Sequence, residues 1–193
     1  MTDPHIVKMG KAYKNFWSLN TDEAIVAGIL RNETSKNVEV LMPLNAQMKD
    51  VDLVLINTKN KKILTIQVKG SRAFEPSKGL VKKYGDGSGG WFFFPSRVIN
   101  KSSAAYFIFL IYVIEQSYKK GRRYIEPHTI TIPTREIKKL AKKYKTLAKG
   151  SRYNFFLWVN PTKRIAFDFQ YKKYYLSKFL DKSGFNKLNK ALR

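Results

Sequence analysis

The residues best suited to chemistry in this sequence are Asp52, Gln67 and Lys69, three polar residues within two otherwise apolar, strand-like runs. Polar residues 58–61 separate the two runs and are few enough to form the loop of a β-hairpin. If this loop is centred on its two middle residues, Asp52 lies opposite Gln67, and alternation places Lys69 on the same face. The spacing therefore predicts that a carboxylate, a carboxamide oxygen and an ammonium group converge on one patch of the hairpin.

This predicted patch is suited to the hydrolysis of phosphodiester bonds with a divalent cation. Carboxylate and carboxamide oxygens are ligands that Mg²⁺ accepts, so Asp52 and Gln67 can both hold the ion. A bound Mg²⁺ or Mn²⁺ polarises a phosphate and lowers the pKa of a bound water. Lys69 can orient that water or stabilise the charge that develops on the phosphate. Asp50, just outside the strand, is the alternative metal carboxylate.

The competing interpretation of the patch is structural: its side chains would be the solvent-facing residues of a hairpin at the edge of a sheet. Asp52 argues against it, because the run from Val51 to Ile56 is otherwise entirely apolar, and an unpaired charge buried there would be costly. Ser71 and Arg72 follow the patch closely enough to contact a phosphate, although a surface turn explains both equally well.

The elements that must position the patch are those of an α/β fold, a mixed β-sheet flanked by helices. Asn20 and Glu23 have the spacing of a capping box, which indicates a helix from Asn20 to about Arg31. The Pro and Gly residues between 75 and 90 predict a mobile loop. Strand-like runs are found at 38–42, 51–57, 63–69, 91–94 and 106–114, with a short turn or helix at 96–102 between the last two.

The C-terminal part of the chain, at about 118–193, is predicted to be basic and helical. A helix is expected from Arg135 to about Lys149, with an apolar face opposite a row of lysines. The end of the chain from Tyr171 is expected to be helical as well. Together with a core at about 15–115, this part is expected to form one domain over residues 1–193. Shorter strand-like runs lie at 129–132, 155–159 and 165–169.

Charge is the main compositional signal for a partner, since 37 Lys and Arg stand against 14 Asp and Glu, a formal net charge of +23. The excess is concentrated in residues 118–193, which hold 21 basic and 4 acidic residues. A surplus of this size is typical of proteins that bind a polyanion, because each neutralised phosphate releases counterions. A solubility role or an anionic membrane surface is the alternative. The candidate DNA contacts are Lys78, Lys82, Lys83, Lys138, Lys139, Lys142 and Lys143.

Composition also excludes several classes of site. The sequence has no cysteine, which excludes disulfides and cysteine-based zinc sites and agrees with a cytoplasmic protein. No apolar stretch is long enough to span a membrane, and the N-terminus lacks the pattern of a signal peptide. His5 and His128 have no partner at metal-ligand spacing. The aromatic run from Trp91 to Phe94 is interpreted as core, with a base-stacking surface as the alternative.

The segment Val51-Asp52, a hairpin, and then Gln67-Val68-Lys69 resembles the PD-(D/E)XK nuclease superfamily, which includes many restriction enzymes and Holliday junction resolvases. The resemblance implies a restriction-endonuclease-like core and a Mg²⁺-dependent site with catalytic roles for these three polar residues. It also implies a metal-binding or neighbouring role for Glu23, where the family often has a helix-borne acid. The chain departs from the family pattern in Gln67, which replaces an acid, and in lacking the proline of the motif; some members with Gln-x-Lys still cleave.

Together these features predict a metal-dependent endodeoxyribonuclease of the restriction, homing or junction-resolving type, with Mg²⁺ or Mn²⁺ as cofactor and DNA as partner. The alternative is a non-catalytic nucleic-acid-binding protein that retains the nuclease fold, and an RNA-binding protein is the third hypothesis. Whether the chain forms a homodimer or a larger homo-oligomer is left open, as are its sequence preference and the geometry of the cut.

Overall fold

The computed structural model describes residues 21–43, 50–71, 75–117, 122–144, 152–168 and 174–193. The helices are α1 (Thr21–Glu33), α2 (Lys78–Tyr84), α3 (Ser96–Asn100), α4 (Thr134–Tyr144) and α5 (Asp181–Leu192), with a 3-10 turn at Ser177–Phe179. The strands are β1 (Val38–Leu41), β2 (Leu53–Asn57), β3 (Ile63–Gly70), β4 (Ser88–Pro95), β5 (Tyr106–Ser117), β6 (Arg122–Pro133), β7 (Arg152–Asn160) and β8 (Ile165–Asp168). None of these helices is both long enough and apolar enough to cross a membrane.

The larger of two sheets is mixed and has the strand order β1-β2-β3-β5-β6. Strand β3 pairs with β5 in parallel, while all other neighbours in this sheet pair antiparallel. A parallel pair needs a crossover connection, and here the crossover contains α2, β4 and α3. The prediction of an α/β fold with a mixed sheet flanked by helices is therefore confirmed.

The larger sheet separates two apolar cores, because side chains alternate along β5. Phe107 and Phe109 belong to one core, Ile108 and Leu110 belong to the other, and all four are fully buried. The first core also contains residues of the smaller sheet, α3 and α4. The second contains residues of α1 and α5. Burial on both faces explains why the strand predicted at 106–114 is apolar without alternation.

The smaller sheet is antiparallel, with the strand order β4-β7-β8. Along β4, Phe92 and Phe94 point into the first core, whereas Trp91 and Phe93 are 53% and 50% exposed. The prediction of a buried strand at 91–94 is thus wrong for two of its residues, since alternate side chains of a strand face opposite sides.

Residues 75–90, predicted to be a mobile loop, instead contain α2 and the beginning of β4. The short helix is held by a contact distant in sequence, because Tyr84 packs on Trp158 with 5.6 Å between the ring centroids. Gly90 lies within β4, where a Cβ would lie only 2.6 Å from Phe92 Cε2, so a larger residue would not fit. This glycine therefore permits close packing in a sheet, which its sequence context did not indicate.

The C-terminal part of the chain contributes three strands and is less helical than predicted. Strand β6 has 12 residues, instead of the short strand predicted at 129–132, because it pairs along its whole length with β5. The hairpin predicted at 155–159 and 165–169 is confirmed as β7 and β8.

The two predicted C-terminal helices differ from the structure at their ends. Helix α4 begins at Thr134 and buries Ile137 and Leu140 as predicted, while residues 145–149 of the predicted helix lie outside the described residues. The tail predicted to be helical from Tyr171, itself outside the described residues, forms its α-helix only from Asp181. Before the 3-10 turn, the backbone lies alongside β8 and is bonded to it, and these hydrogen bonds compete with helix formation.

Candidate active site

The β2–β3 hairpin has the register that its loop predicts. Leu53 pairs with Ile66, as the predicted loop requires, and the pairing of the two strands ends there. Asp52 N also donates a hydrogen bond of 2.8 Å to Ile66 O. Since Ile66 belongs to the core next to α1, Gln67 and Lys69 lie on the opposite face of the strand. The predicted hairpin is confirmed over Leu53–Ile56 and Ile63–Ile66, and Gln67 and Lys69 share a face of β3, whereas Asp52 precedes the paired residues of β2.

Asp52 and Lys69 form the centre of the site. Lys69 Nζ lies 3.9 Å from Asp52 Oδ2, and the same oxygen accepts a hydrogen bond of 2.6 Å from Val68 N. The side chains of Lys69 and Asp52 are only 27% and 20% exposed, and β2 is not an edge strand because β1 pairs with it. The structure therefore excludes the alternative of a solvent-facing edge hairpin.

Gln67 is almost completely buried, with 3% of its surface exposed. Its Oε1 has no hydrogen-bond donor among the described residues. Burying an unsatisfied group of this kind costs about 1–3 kcal/mol, and native proteins retain few of them. A bound cation, or a donor group of a ligand, would satisfy this open acceptor oxygen.

Glu23 joins the site from the first turn of α1. Burial and the negative charge of Asp52 raise the pKa of Glu23 to about 7, while the Lys69 ammonium counteracts part of this rise. Charges act on one another in this way only at short range, so the two carboxylates and the lysine form one electrostatic cluster. The capping-box alternative for Glu23 depends on Asn20, which lies outside the described residues.

The charge of Asp52 is disfavoured by burial and favoured by its contacts. Burial raises the pKa of Asp52, the Lys69 ammonium and the Val68 N–H oppose this rise, and Asp50 adds a smaller upward contribution. Asp50, the alternative metal carboxylate, has a left-handed backbone with φ 72° just before the strand. Its effect on the pKa of Asp52 places Asp50 at the margin of the cluster.

Asp22 is a residue of this site that the sequence pattern did not single out. Its Oδ1 accepts a hydrogen bond of 2.7 Å from Tyr112 OH on β5, and its carboxylate lies against Gly70, where any Cβ would overlap with it. Gly70 thus lets the first turn of α1 approach the end of β3, which brings Glu23 close to Asp52. The only signal in the sequence is a second acid at a helix start, which is common at helix N-termini.

The predicted ligand set differs from the usual grouping of side chains around a metal. Among the described residues, no three or more His, Cys, Asp or Glu are placed to hold an ion together. The predicted ligands, Glu23, Asp52 and Gln67, offer oxygen atoms only, and of these the electrostatic cluster includes Glu23 and Asp52. Such a set fits Mg²⁺, a hard cation that retains several waters and needs few protein ligands. A nearby cation would satisfy the open Gln67 oxygen and favour the ionised form of Glu23.

Of the two candidate phosphate contacts that follow β3, one has a structural role. Ser71 is buried, and its Oγ accepts a hydrogen bond of 3.1 Å from Trp91 N. The hydroxyl therefore links the end of β3 to β4 and does not belong to a surface turn. Arg72 lies outside the described residues.

The lysines predicted to contact DNA lie on two helices, α2 and α4, and outside the cluster around Asp52. Helix α2 packs on the smaller sheet through Tyr84, and α4 packs on the core between the sheets. Lys139 Nζ also forms an ion pair of 3.2 Å with Glu136. The side chain of Lys143 is outside the part that the structure describes. The exposed or half-buried lysines of these helices are Lys78, Lys82, Lys83, Lys138, Lys139 and Lys142.

The raised pKa of Glu23 predicts a pH dependence of stability in metal-free buffer. The unfolded chain loses this proton near pH 4.5 and the folded protein near pH 7, so between these values unfolding releases a proton and stability falls as the pH rises. Glu23→Gln cannot ionise. We therefore expect its stability relative to wild type to be higher at about pH 8 than at about pH 5. Chemical denaturation in EDTA across this pH range measures the difference.

The matched control is Glu33→Gln, which removes an exposed carboxylate at the other end of α1. This control should differ from wild type by a similar amount at every pH. A difference between Glu23→Gln and wild type that does not change with pH would contradict the placement of Glu23 in the cluster.

The site therefore combines the Asp52–Lys69 ion pair with the raised pKa of Glu23, where the first turn of α1 meets the β2–β3 hairpin. Gln67, on the same face of β3 as Lys69, has an Oε1 that no described residue satisfies. No family model, no curated protein and no solved structure matches this chain.

Proposed function

We propose that this protein is a divalent-metal-dependent endodeoxyribonuclease with a restriction-endonuclease-like core. Two observations carry the proposal: the partly buried ion pair of Asp52 and Lys69, and the buried, unsatisfied Oε1 of Gln67, two residues before Lys69 on the same face of β3. An acceptor without a donor does not stabilise the fold, whereas it can bind a cation next to a carboxylate. The order of elements also supports the proposal, since an acidic helix start, a strand and a hairpin with Gln-x-Lys follow the pattern of the PD-(D/E)XK superfamily.

Each polar residue of the site has a role in this proposal. Glu23, Asp52 and Gln67 would hold Mg²⁺ or Mn²⁺ through oxygen atoms, and the bound ion would polarise the scissile phosphate and lower the pKa of a bound water. The Lys69 ammonium, 3.9 Å from Asp52 Oδ2, donates to the attacking water or to a phosphate oxygen on which charge develops. The Val68 N–H keeps the Asp52 carboxylate in position.

The neutral side chain at position 67 suits this cluster. Asp52 already raises the pKa of Glu23, so a third carboxylate would add repulsion in the absence of a cation. The Gln67 carboxamide supplies an oxygen ligand without a charge. Its attraction for the cation is correspondingly weaker, and we therefore expect lower affinity for the ion than a site with three carboxylates would have.

DNA is the proposed substrate because of the charge of the protein. The net charge is +23, and lysines are exposed on both α2 and α4. Contacts of lysine with phosphate position a nucleic acid without reading its sequence. Restriction, homing and junction-resolving enzymes share this requirement and the same hydrolytic reaction, so the charge supports all three.

The second candidate function is a non-catalytic nucleic-acid-binding protein that retains the nuclease fold. One observation favours it: among the described residues, no three His, Cys, Asp or Glu side chains are grouped so that they could hold one ion. Such a protein would bind nucleic acid through its lysines and leave phosphodiester bonds intact in the presence of Mg²⁺. A cleavage assay separates the two candidates.

The isosteric variant Asp52→Asn tests the catalytic site. We expect the wild-type protein to cleave supercoiled, branched or linear DNA with Mg²⁺ or Mn²⁺ and not in EDTA. Asp52→Asn removes a charged ligand and should cleave at least about a hundred-fold more slowly. Its affinity for DNA, measured by fluorescence anisotropy, should remain close to that of wild type because no lysine is changed.

The control for this variant is Asp86→Asn, which neutralises an exposed acid after α2 and should cleave at the wild-type rate. Cleavage in EDTA, or cleavage by Asp52→Asn at the wild-type rate, would rule out the mechanism. If wild type cleaves no form of DNA with either ion, the binding protein is the better description.

Gln67 can be tested without any cleavage. Gln67→Met roughly conserves volume and removes the unsatisfied acceptor, so the metal-free variant should be more stable than wild type, by up to about 1–3 kcal/mol. The same variant should lose most of the stabilisation that Mn²⁺ gives the wild type, because one ligand is missing. Gln67→Glu should instead gain more stability from Mn²⁺. Denaturation in EDTA and in a Mn²⁺ series measures both effects.

If Gln67→Met is less stable than wild type in EDTA and gains the same stability from Mn²⁺ as wild type does, Gln67 has a structural role only.

The lysines of α4 separate DNA positioning from chemistry. We expect a variant with Lys138, Lys139 and Lys142 changed to Gln to bind every DNA sequence more weakly. The log–log salt dependence of its affinity should fall by about 0.9 for each phosphate that is no longer neutralised. The cleavage rate at saturating DNA should remain close to wild type, because the cluster around Asp52 is unchanged. Anisotropy at several salt concentrations and single-turnover cleavage measure the two quantities.

A control with the same loss of charge changes Lys59, Lys61 and Lys62, which are exposed at the loop of the β2–β3 hairpin. This control reports the effect of net charge alone. If both triple variants have the same affinity and salt dependence, α4 does not contact DNA, and the lysines of α2 become the candidates.

A further inference from the structure

An aromatic patch lies on the outer face of the smaller sheet and consists of Trp91 and Phe93 from β4 and Phe156 from β7. The ring centroid of Trp91 lies 4.4 Å from that of Phe93 and 4.7 Å from that of Phe156. About half of the surface of Trp91 and of Phe93 is exposed. The three rings therefore form one apolar surface that is open to solvent.

The core of the smaller sheet does not require aromatic rings at these positions. Phe92 and Phe94, on the inner face of β4, already fill the space between the sheets. Elsewhere on the outer face, Tyr84 of α2 packs on Trp158, which is fully buried. Helix α2 thus covers one part of this face, while Trp91 and Phe93 remain about half exposed, and large apolar side chains are unfavourable in water.

Positive side chains lie at both ends of the aromatic patch. Arg152, which is exposed, pairs with Pro95, two positions beyond Phe93 on the same outer face. At the other end, α2 carries the exposed Lys82 and Lys83. Rings between cations are suited to unpaired nucleotides, because bases stack on the rings while phosphates contact the cations. The charge of the surroundings therefore favours a polyanion over an uncharged partner.

One hydrogen bond joins the aromatic patch to the candidate active site. Trp91 N donates to Ser71 Oγ over 3.1 Å, and Ser71 N donates to Leu110 O over 3.1 Å. Ser71 follows Lys69 by two residues, so the strand that bears the patch is fixed to the end of β3 where the site lies. The backbone of β4 at Trp91 is thus joined to the residue that follows β3.

We propose that the aromatic patch binds unpaired nucleotides of DNA by base stacking. The preferred substrate would then carry a single-stranded segment beside the cleaved position, as in a flap, a splayed arm or a branch. Bases within a duplex are stacked on one another and offer no free face to the rings. This substrate preference rests on the proposed nuclease function, whereas the binding of unpaired nucleotides stands without it.

The test is fluorescence anisotropy of labelled DNA in EDTA, where only binding is measured. An oligothymidylate of about twelve nucleotides provides unpaired bases, and a blunt duplex of equal length provides the comparison. Trp91→Ala should bind the oligothymidylate about five-fold to about a hundred-fold more weakly and bind the duplex as wild type does. Removing the ring of Phe93 as well should increase the loss. Trp91→Phe, which keeps a ring, should restore most of the affinity.

The matched control is Ile125→Ala, which shortens an exposed apolar side chain on β6 and should bind both DNAs as wild type does. Salt dependence separates the rings from the cations. Trp91→Ala should keep the wild-type log–log slope. Changing Lys82 and Lys83 to Gln should instead reduce the slope by about 0.7 for each phosphate of the single strand that is no longer neutralised.

Three results would overturn this proposal. One is an unchanged affinity of the Trp91→Ala and Phe93→Ala proteins for oligothymidylate, and another is an equal loss of affinity for the duplex. The third is a sedimentation experiment in which these variants dissociate a self-associated wild type while their DNA affinity stays the same, since the patch would then join copies of this chain. The binding assay in EDTA requires no cleavage, so failure of the nuclease proposal, seen as intact DNA with Mg²⁺ and Mn²⁺, is distinguishable from failure of this one.

Discussion

The candidate site depends on the double pairing of β3, which is antiparallel with β2 and parallel with β5. Because side chains alternate, this pairing places Ile66 and Val68 in the core next to α1 and leaves Gln67 and Lys69 on the opposite face. A slip of one residue would put the carboxamide of Gln67 and the ammonium group of Lys69 into an apolar core, which strongly disfavours any other register. The polar residues are thus held in place by the burial of their apolar neighbours. The approach of α1 to Gly70 then adds Glu23 to the same point.

Features that depend on neighbouring residues could be predicted from the sequence. The length of the loop at 58–61 predicts the hairpin register, and that register predicts the meeting of Asp52 and Lys69, now seen at 3.9 Å. The spacing of Ile137 and Leu140 likewise predicts the buried face of α4. Each of these patterns spans one element or one turn, so no knowledge of distant contacts is needed.

Features that depend on distant contacts could not be predicted in the same way. Helix α2 is held by packing on Trp158, far along the chain, and the length of β6 is set by its pairing with β5. The exposure of Trp91 and Phe93 depends on how far α2 extends over the smaller sheet, which no local pattern encodes. The same reason applies to the site: Asp22 approaches β3 only because Gly70 has no side chain.

The candidate site carries little net negative charge, which reduces its repulsion of a polyanion. Near neutral pH and without a cation, a substantial fraction of Glu23 retains its proton, since its pKa is about 7, and the charge of Asp52 is balanced by Lys69. Gln67 adds an oxygen without a charge. Three ionised carboxylates would repel a phosphate, and most strongly at a partly buried point where the effective dielectric constant is low. In the proposed nuclease, a cluster of nearly balanced charge would let the attraction of a +23 protein for nucleic acid extend to the site itself. Gln67 in place of an acid would then weaken the binding of the cation and ease the entry of the phosphate.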